Sequence, residues 1–330
     1  MNSTGTTSGL RRNARIEAID IARGVALAAM AIYHFAWDLE FFGYAPPGMT
    51  AIGGWKLFAR CIASSFLFLV GVSLVLAHGD GIRWRPMLKR LAMVGGAALS
   101  ISIVTYLALP QGFIFFGILH QIALASVLGL AFLHLPALLT LAVAALVIAA
   151  PHFLRSGFFD HPALWWVGLS TVSPRSNDYV PVFPWFGAVL AGIAAARLAQ
   201  AAGLFDRLAA LRMPAWQWPL AFAGRHSLAV YLIHQPILIG LIWVAAQIAP
   251  PAPVAPESRF MRACAMQCQA SRDEEFCARY CACMLDSLEA ENLLPQLSSG
   301  EAGETLQSKL QAFAGICTAE VELSPGLGVK

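Results

Sequence analysis

Residues 19–42 open with Ile19-Asp20-Ile21-Ala22-Arg23-Gly24-Val25, run without a charge to Tyr33, and close on His34-Phe35-Ala36-Trp37-Asp38. A helix needs about 20 largely apolar residues to cross the hydrocarbon of a bilayer, and this stretch supplies them. Its polar residues sit in two clusters with only apolar side chains between. The rest of the chain has the same character: 58% of its 330 residues are hydrophobic and 12% are charged. An average soluble protein carries roughly 25% charged residues, so this chain lacks the charge to coat a water-facing surface. A soluble globule, a disordered chain and a basic nucleic-acid binder are thereby excluded, and no nucleic acid is expected as partner.

Seven apolar stretches follow one another: Ile19–Phe42, Phe58–Ala77, Leu91–Leu109, Phe113–Leu133, Leu135–Phe153, Val182–Ala201 and Ser227–Ala249. Pro136 lies at the start of the fifth, and Trp216–Ala223 is too short to span and suits the interface. The expected fold is an all-α membrane bundle of about seven spans over residues 16–249. It follows a polar N-terminal tail (1–15) and precedes a Pro/Ala spacer (250–257) and a Cys-rich tail (258–330). Without an apolar core in residues 1–15, no cleavable signal peptide is expected, and the first span serves for targeting.

Lys and Arg distribute unevenly. One set of loops and span ends holds Arg11, Arg12, Arg15, Arg23, Arg83, Arg85, Lys89, Arg90, Arg197, Arg207, Arg212 and Arg225. The opposite set holds only Lys56, Arg60, Arg155 and Arg175. Basic loops stay in the cytoplasm, so the N-terminus is placed inside, and seven spans then put the C-terminal tail outside.

Ionisable residues within spans are costly and mark function by default. Asp20 with Arg23, and His34 with Asp38, are three and four apart and share helix faces. His34 lies roughly 16 Å of helix rise beyond Arg23. Asp38 can orient the His34 ring and stabilise its cation, which suits a general base or acyl carrier; an interfacial polar pair is the alternative. His120, in Phe116-Gly117-Ile118-Leu119-His120-Gln121, falls at similar depth and is a further catalytic candidate or a helix–helix hydrogen bonder. His234 and Gln235 precede Pro236, where polar side chains can equally satisfy a broken helical ladder. Gly224-Arg225-His226-Ser227 opens the last span, and a helix start with Arg and Ser attracts phosphate. Positive-inside anchoring explains Arg225 as well. In the long external loop, Trp165 and Trp166 can stack on a sugar ring or belong to an interfacial belt, and Asp178 faces the same vestibule. No metal-ligand spacing or nucleotide-binding Gly loop occurs in the bundle, so neither a metal centre nor an ATP-driven pump is expected.

Four segments resemble the heparan-alpha-glucosaminide N-acetyltransferase-like catalytic domains of bacterial membrane proteins. They are Arg15–Gly24 running to His34, Phe116–Ala123, Asp178–Gly187 and Gly224–Pro236. The resemblance implies a multi-pass enzyme of the bacterial inner membrane. Such an enzyme takes acetyl from cytosolic acetyl-CoA, a donor and not a permanently bound cofactor, and delivers it to an external glycan. Related bacterial O-acyltransferases place an Arg, ten intervening residues and an essential His in the first span, as Arg23 and His34 do. The resemblance thus implies His34 for catalysis, and the residue reading adds Asp38 and His120. From the residue reading, Arg23, Arg225, His226 and Ser227 are expected to hold the donor, and Asp178, Trp165, Trp166 and His234 the acceptor. Unlike the animal enzyme, this sequence shows no large lumenal domain and has no His between Asp38 and Ala77.

Residues 1–250 hold 16 Lys+Arg against 8 Asp+Glu, whereas 251–330 hold 6 against 11 and six of the seven cysteines. Cys264 and Cys268, then Cys277 and Cys281, are each four apart and share a helix face. Ser271 with Glu274 reads as a capping box between them. The layout suggests a helical hairpin with disulfides Cys268–Cys277 and Cys264–Cys281, chosen on hairpin geometry among fifteen pairings of six cysteines. A thiolate metal site is the rival, and an oxidising location favours disulfides. Three functions stay open at this point: an acyltransferase, a proton-coupled transporter using His34, Asp38, His120 and His234, and a membrane scaffold for the tail. Association into a homo-oligomer is left open too.

Overall fold

The computed structural model describes residues 16–46, 48–79, 81–211, 214–251, 255–268, 272, 274–299 and 303–323. Arg11, Arg12, Arg15, Arg212, Ser271 and the spacer residues 252–254 lie outside the described residues. The described chain is mostly helical and contains no strand. Its helices are α1 (Glu17–Phe41), α2 (Gly53–His78), α3 (Trp84–Ala108), α4 (Ile118–Leu128), α5 (Ala137–Phe153), α6 (Val182–Ala201), α7 (Leu204–Ala210), α8 (Trp218–Arg225) and α9 (Ser227–Ile248). The tail adds α10 (Pro256–Cys268), α11 (Glu274–Ala290), α12 (Leu294–Ser299) and α13 (Glu304–Leu323).

Five of these helices, α1, α2, α3, α6 and α9, are long and apolar enough to cross a membrane. The fourth and fifth expected stretches form shorter apolar helices. The reasons are local. The chain at Phe113–Gly117 is tied to the neighbouring loop, with Asn177 N–H donating to Gly112 O (2.9 Å) and Val180 N–H to Phe116 O (3.0 Å). The helix therefore starts only at Ile118, and it tightens to 3₁₀ geometry over Gly129–Phe132. Pro136 caps α5, whose 17 residues give roughly 25 Å of rise.

The chain forms two compact units. One joins the residues up to Ile32 with Phe58–Pro236, and the other joins Tyr33–Leu57 with the chain from Ile237 onward.

In the first unit the core centres on α2 and α6, where Leu67, Leu74, Val189, Leu190 and Ile193 are wholly buried. Two pairs of glycines let helices touch backbone to backbone. A Cβ at Gly71 would stand 2.1 Å from Val189 O, and one at Gly192 would stand 2.1 Å from Phe68 O. On the other side, a Cβ at Gly24 would meet Leu220 O at 2.1 Å, and one at Gly224 would meet Asp20 O at 1.8 Å. Each crossing is reciprocal. In lipid, where apolar burial gives little drive for helices to associate, small residues earn tight packing instead.

The long loop between α5 and α6 is ordered by one carboxylate. Asp160 accepts from Ser170 Oγ (2.7 Å), Thr171 N–H (2.8 Å) and Thr171 Oγ1 (2.6 Å). The Thr171 and Ser170 hydroxyls, in that order of weight, hold its acid at about 2.

In the second unit, Glu40 accepts from Thr50 N–H (3.0 Å), Thr50 Oγ1 (2.7 Å) and Gly48 N–H, pinning the loop after α1. Gly48 has φ of 78°, and a Cβ there would fall on the thioether of Met266 in α10. The tail is thereby packed on that loop. Both expected disulfides are present, Cys264–Cys281 and Cys268–Cys277, with Cα separations of 5.8 and 5.6 Å. A third, Cys283–Cys317, joins α13 to α11. Beneath them Leu288, Leu293, Leu294 and Leu306 form a small core of their own.

The glycine crossings generate a stability test. Gly71→Ala should lower the thermal midpoint of the detergent-solubilised protein, because a methyl group meets unyielding backbone; overpacking typically costs about 1–3 kcal/mol. Gly95→Ala in α3, where nothing lies within 4 Å, should be neutral or mildly stabilising through helix propensity. Equal melting of the two variants would show that the α2–α6 contact is looser than described.

Candidate functional site

At the end of the first unit where α2 stops and α3 and α9 begin, a cavity of about 400 Å³ opens. Arg23, Arg90 and Arg225 line it together with Ser73, His226 and Ser227. Its apolar wall comes from Phe66, Leu69, Val70, Met93, Val94 and Leu119. All four residues expected to hold the donor thus come together in one place.

The glycine crossings explain why they meet. The close approach of Gly24 and Gly224 brings α1 against α8 and places Asp20 between two arginines. Arg23 Nη1 donates to Asp20 Oδ1 (3.0 Å), and Arg225 Nε lies 3.7 Å from Asp20 Oδ2. Arg225 Nη2 also donates to Glu17 Oε1 (3.2 Å). The Asp20 side chain is only 3% exposed. A carboxylate buried that deeply persists because it is paired on both oxygens. The second crossing sets α2 so that Ser73 Oγ accepts from Arg23 Nη2 at 2.6 Å. Ser73 in turn donates to Leu69 O, so the guanidinium plane is held from two directions. His226 stacks on Phe222 with ring centres 4.5 Å apart, and its Nδ1 lies 3.0 Å from Phe222 O. A carbonyl partner fixes Nδ1 as the donor and leaves Nε2 as the acceptor.

Sequence reading missed Arg90 and Ser73 as members of this cavity. Arg90 was counted only as a topological charge, and the one signal available was its place near a basic helix start. Tyr231 was missed as well. It lines the same cavity from α9, and Asp178 acts on it electrostatically.

His120 and Trp166 meet elsewhere in this unit, in an open apolar hollow with Phe116, Ala98 and Leu99. The His120 ring is engaged at both nitrogens. Nδ1 accepts from Gly117 N–H (3.2 Å), and Nε2 lies 3.2 Å from Ser102 Oγ. An accepting Nδ1 requires a protonated Nε2, so the neutral ring donates to Ser102. That arrangement starts α4 and joins it to α3. Trp165 is turned inward: its Nε1 donates to Asp160 O (3.0 Å), and its carbonyl accepts from Tyr179 OH (2.6 Å). His234 Nδ1 lies 2.6 Å from Tyr231 O, one turn back on α9. Gln121 in α4 is fully buried, and neither end of its amide has a hydrogen-bond partner among the described residues.

Asp178 was expected to face the acceptor vestibule. Its Oδ2 accepts from Ile118 N–H at 2.8 Å, at the start of α4, and a Cβ on Gly117 would stand 2.3 Å from the same oxygen. Burial of the carboxyl raises its pKa to about 6, against the opposing hydrogen bond from Ile118.

In the second unit, Asp38 is completely buried and His34 is half-buried on the same face of α1. The His34 ring meets that of Tyr33 edge-on at 5.7 Å, and Tyr33 OH donates to Thr50 O (3.4 Å).

The Asp178 arrangement gives a pH test. A carboxyl whose pKa is raised from 3.8 to about 6 binds its proton more tightly in the folded state. Its contribution to stability is present below about pH 4 and is lost as pH rises to about 6. Thermal midpoints measured from pH 4 to 7 should show this fall in the native protein and not in Asp178→Asn, which keeps an oxygen for Ile118. Asp178→Ala should lose the cap and melt lower at every pH, by about 1 kcal/mol.

A family model described as Heparan-alpha-glucosaminide N-acetyltransferase, catalytic, matches residues 15–236. No curated protein and no solved structure matches the chain. The matched segment contains the arginine cavity, both glycine crossings and the Asp178 cap. The chain belongs to the heparan-alpha-glucosaminide N-acetyltransferase catalytic-domain family.

Proposed function

We propose that this protein is an integral membrane acyltransferase that moves an acetyl or short acyl group from cytosolic acyl-CoA to an external glycan. The observation that carries this reading is the cavity of about 400 Å³ with three arginines at its polar side and an apolar wall opposite. An acyl-CoA joins a multiply charged phosphate head to a slender, mostly uncharged arm. Arginine forks suit the head because they present several donors to phosphate oxygens. Arg23, Arg225, His226 and Ser227 hold it, aided by the start of α9, where the helix dipole favours negative charge.

The proposed topology has seven spans, with α4 and α5 as the short ones, the arginine cavity on the cytoplasmic side and the tail outside. The basic residues that gather at the cavity's end of the first unit support the orientation, and the disulfides of the tail support an oxidising compartment.

His34 is proposed as the proton acceptor and Asp38 as the group that orients it. The support is the Arg23-to-His34 spacing and the cost of keeping such a pair in a span. As the acceptor hydroxyl or amine attacks the thioester carbonyl, its proton passes to the neutral imidazole. The carbon–sulfur bond then breaks, and the proton is returned to the departing CoA thiolate. His120 is given no proton-transfer step, since both its ring nitrogens are committed to Gly117 and Ser102. External aromatic and polar groups, Trp166 among them, are proposed for the acceptor.

Purified protein incubated with acetyl-CoA and a panel of periplasmic glycans should release CoA thiol and acetylate one class of glycan. His34→Ala should cut transfer about 10²–10⁴-fold while acetyl-CoA binding persists, and Asp38→Asn should cut it less. Turnover by His34→Ala within tenfold of the native rate would remove His34 from the chemistry. For topology, a membrane-impermeant thiol reagent should label tail cysteines in intact cells only after reduction. No labelling after reduction would place the tail inside.

A further inference from the structure

Of the three arginines in the cavity, two are already compensated. Arg23 pairs with Asp20 at 3.0 Å and holds Ser73, and Arg225 pairs with Glu17 at 3.2 Å and reaches Asp20 at 3.7 Å. Arg90 differs. Among the described residues it makes no ion pair and no side-chain hydrogen bond, and Arg23 and His78 are charged or titratable groups near enough to interact with it. It stands half-buried one turn and a half into α3, beside the apolar wall formed by Met93 and Val94. A guanidinium withdrawn from water beside a second guanidinium is unfavourable unless an anion joins them.

We propose that Arg90 is the principal phosphate anchor of the cavity: a phosphate group of the ligand pairs with Arg90 and bridges it to Arg23. The inference rests on the acyl-CoA reading above for the identity of the ligand, and it goes further in naming the residue that sets the demand for charge. Among the described residues, the carboxylates of Asp20 and Glu17 pair with Arg23 and Arg225, and neither pairs with Arg90. A phosphate between Arg23 and Arg90 gives the Arg90 guanidinium an anionic partner. It also replaces like-charge repulsion by attraction in a site of low dielectric. A donor with the same arm and no phosphate lacks this gain. Arg90 thereby makes the cavity select phosphorylated donors over bare thioesters of the arm alone.

The test uses the full chain in phosphatidylcholine nanodiscs, with acetyl-CoA, S-acetylpantetheine (the arm without phosphate) and inorganic pyrophosphate as probes. Arg90→Gln should weaken acetyl-CoA binding about 10- to 100-fold and leave S-acetylpantetheine unchanged, and Arg90→Lys should recover part of the loss. Unchanged acetyl-CoA affinity in Arg90→Gln would overturn the proposal. An equal loss for both thioesters would also overturn it, since that marks a structural role. If the native protein fails to bind acetyl-CoA, the acyl-CoA reading falls. The phosphate anchor then stands only if pyrophosphate binds and Arg90→Gln abolishes that binding. Competition of phosphatidylglycerol with pyrophosphate in the native protein, absent from Arg90→Gln, would assign the phosphate to a lipid headgroup and sink the CoA assignment.

Discussion

The backbone contact between α1 and α8 at Gly24 and Gly224 is the constraint on which the arginine cavity depends. With any side chain at either position the helices would stand apart, and Asp20 could not reach Arg23 and Arg225 together. A carboxylate with 3% of its side chain exposed is tolerable only with both partners in place. Packing and electrostatics therefore support one another here: the glycines bring the charges within reach, and the paired charges make the close packing worthwhile. The crossing of α2 and α6 through Gly71 and Gly192 performs the same service for Ser73, which accepts from Arg23 Nη2.

Polar groups farther along the bundle serve to start and join helices. His120 and Asp178 lie at the start of α4, one accepting from Gly117 N–H and the other from Ile118 N–H. Helix starts leave several N–H groups without intrahelical partners, and within or near a bilayer water is not at hand to satisfy them. His120, expected at the catalytic centre, and Asp178, expected at the acceptor vestibule, in this way both have backbone partners. Tyr231 connects the two regions, since it lines the arginine cavity and feels the charge of Asp178.

The tail carries its own logic. Its core of four leucines is small, and below about 80 residues such cores need staples. Three disulfides supply them. Cys264, Cys268, Cys277 and Cys281 pair as ladder rungs of a hairpin, whereas Cys283 points to another face of α11 and takes Cys317 from α13. Met266 over Gly48 fixes this module to the loop after α1.

Hydropathy and charge, read along the chain, determined the membrane class, the helical fold and the five long helices, and four short segments carried the resemblance to the family, because each depends on residues close together in sequence. The hairpin disulfides were legible for the same reason, since a four-residue spacing fixes a helix face. Arg23, Arg225, His226 and Ser227 were singled out from the ends of their helices, and they line one cavity. Only the tertiary structure decided that Arg90 and Ser73 join them, that His120 is bound at both ring nitrogens, and that α4 starts five residues into its apolar stretch. Those facts turn on contacts between segments distant in sequence, helix crossings among them. A crossing is set by small residues on two distant segments at once, and no local pattern in either segment records which partner it will meet.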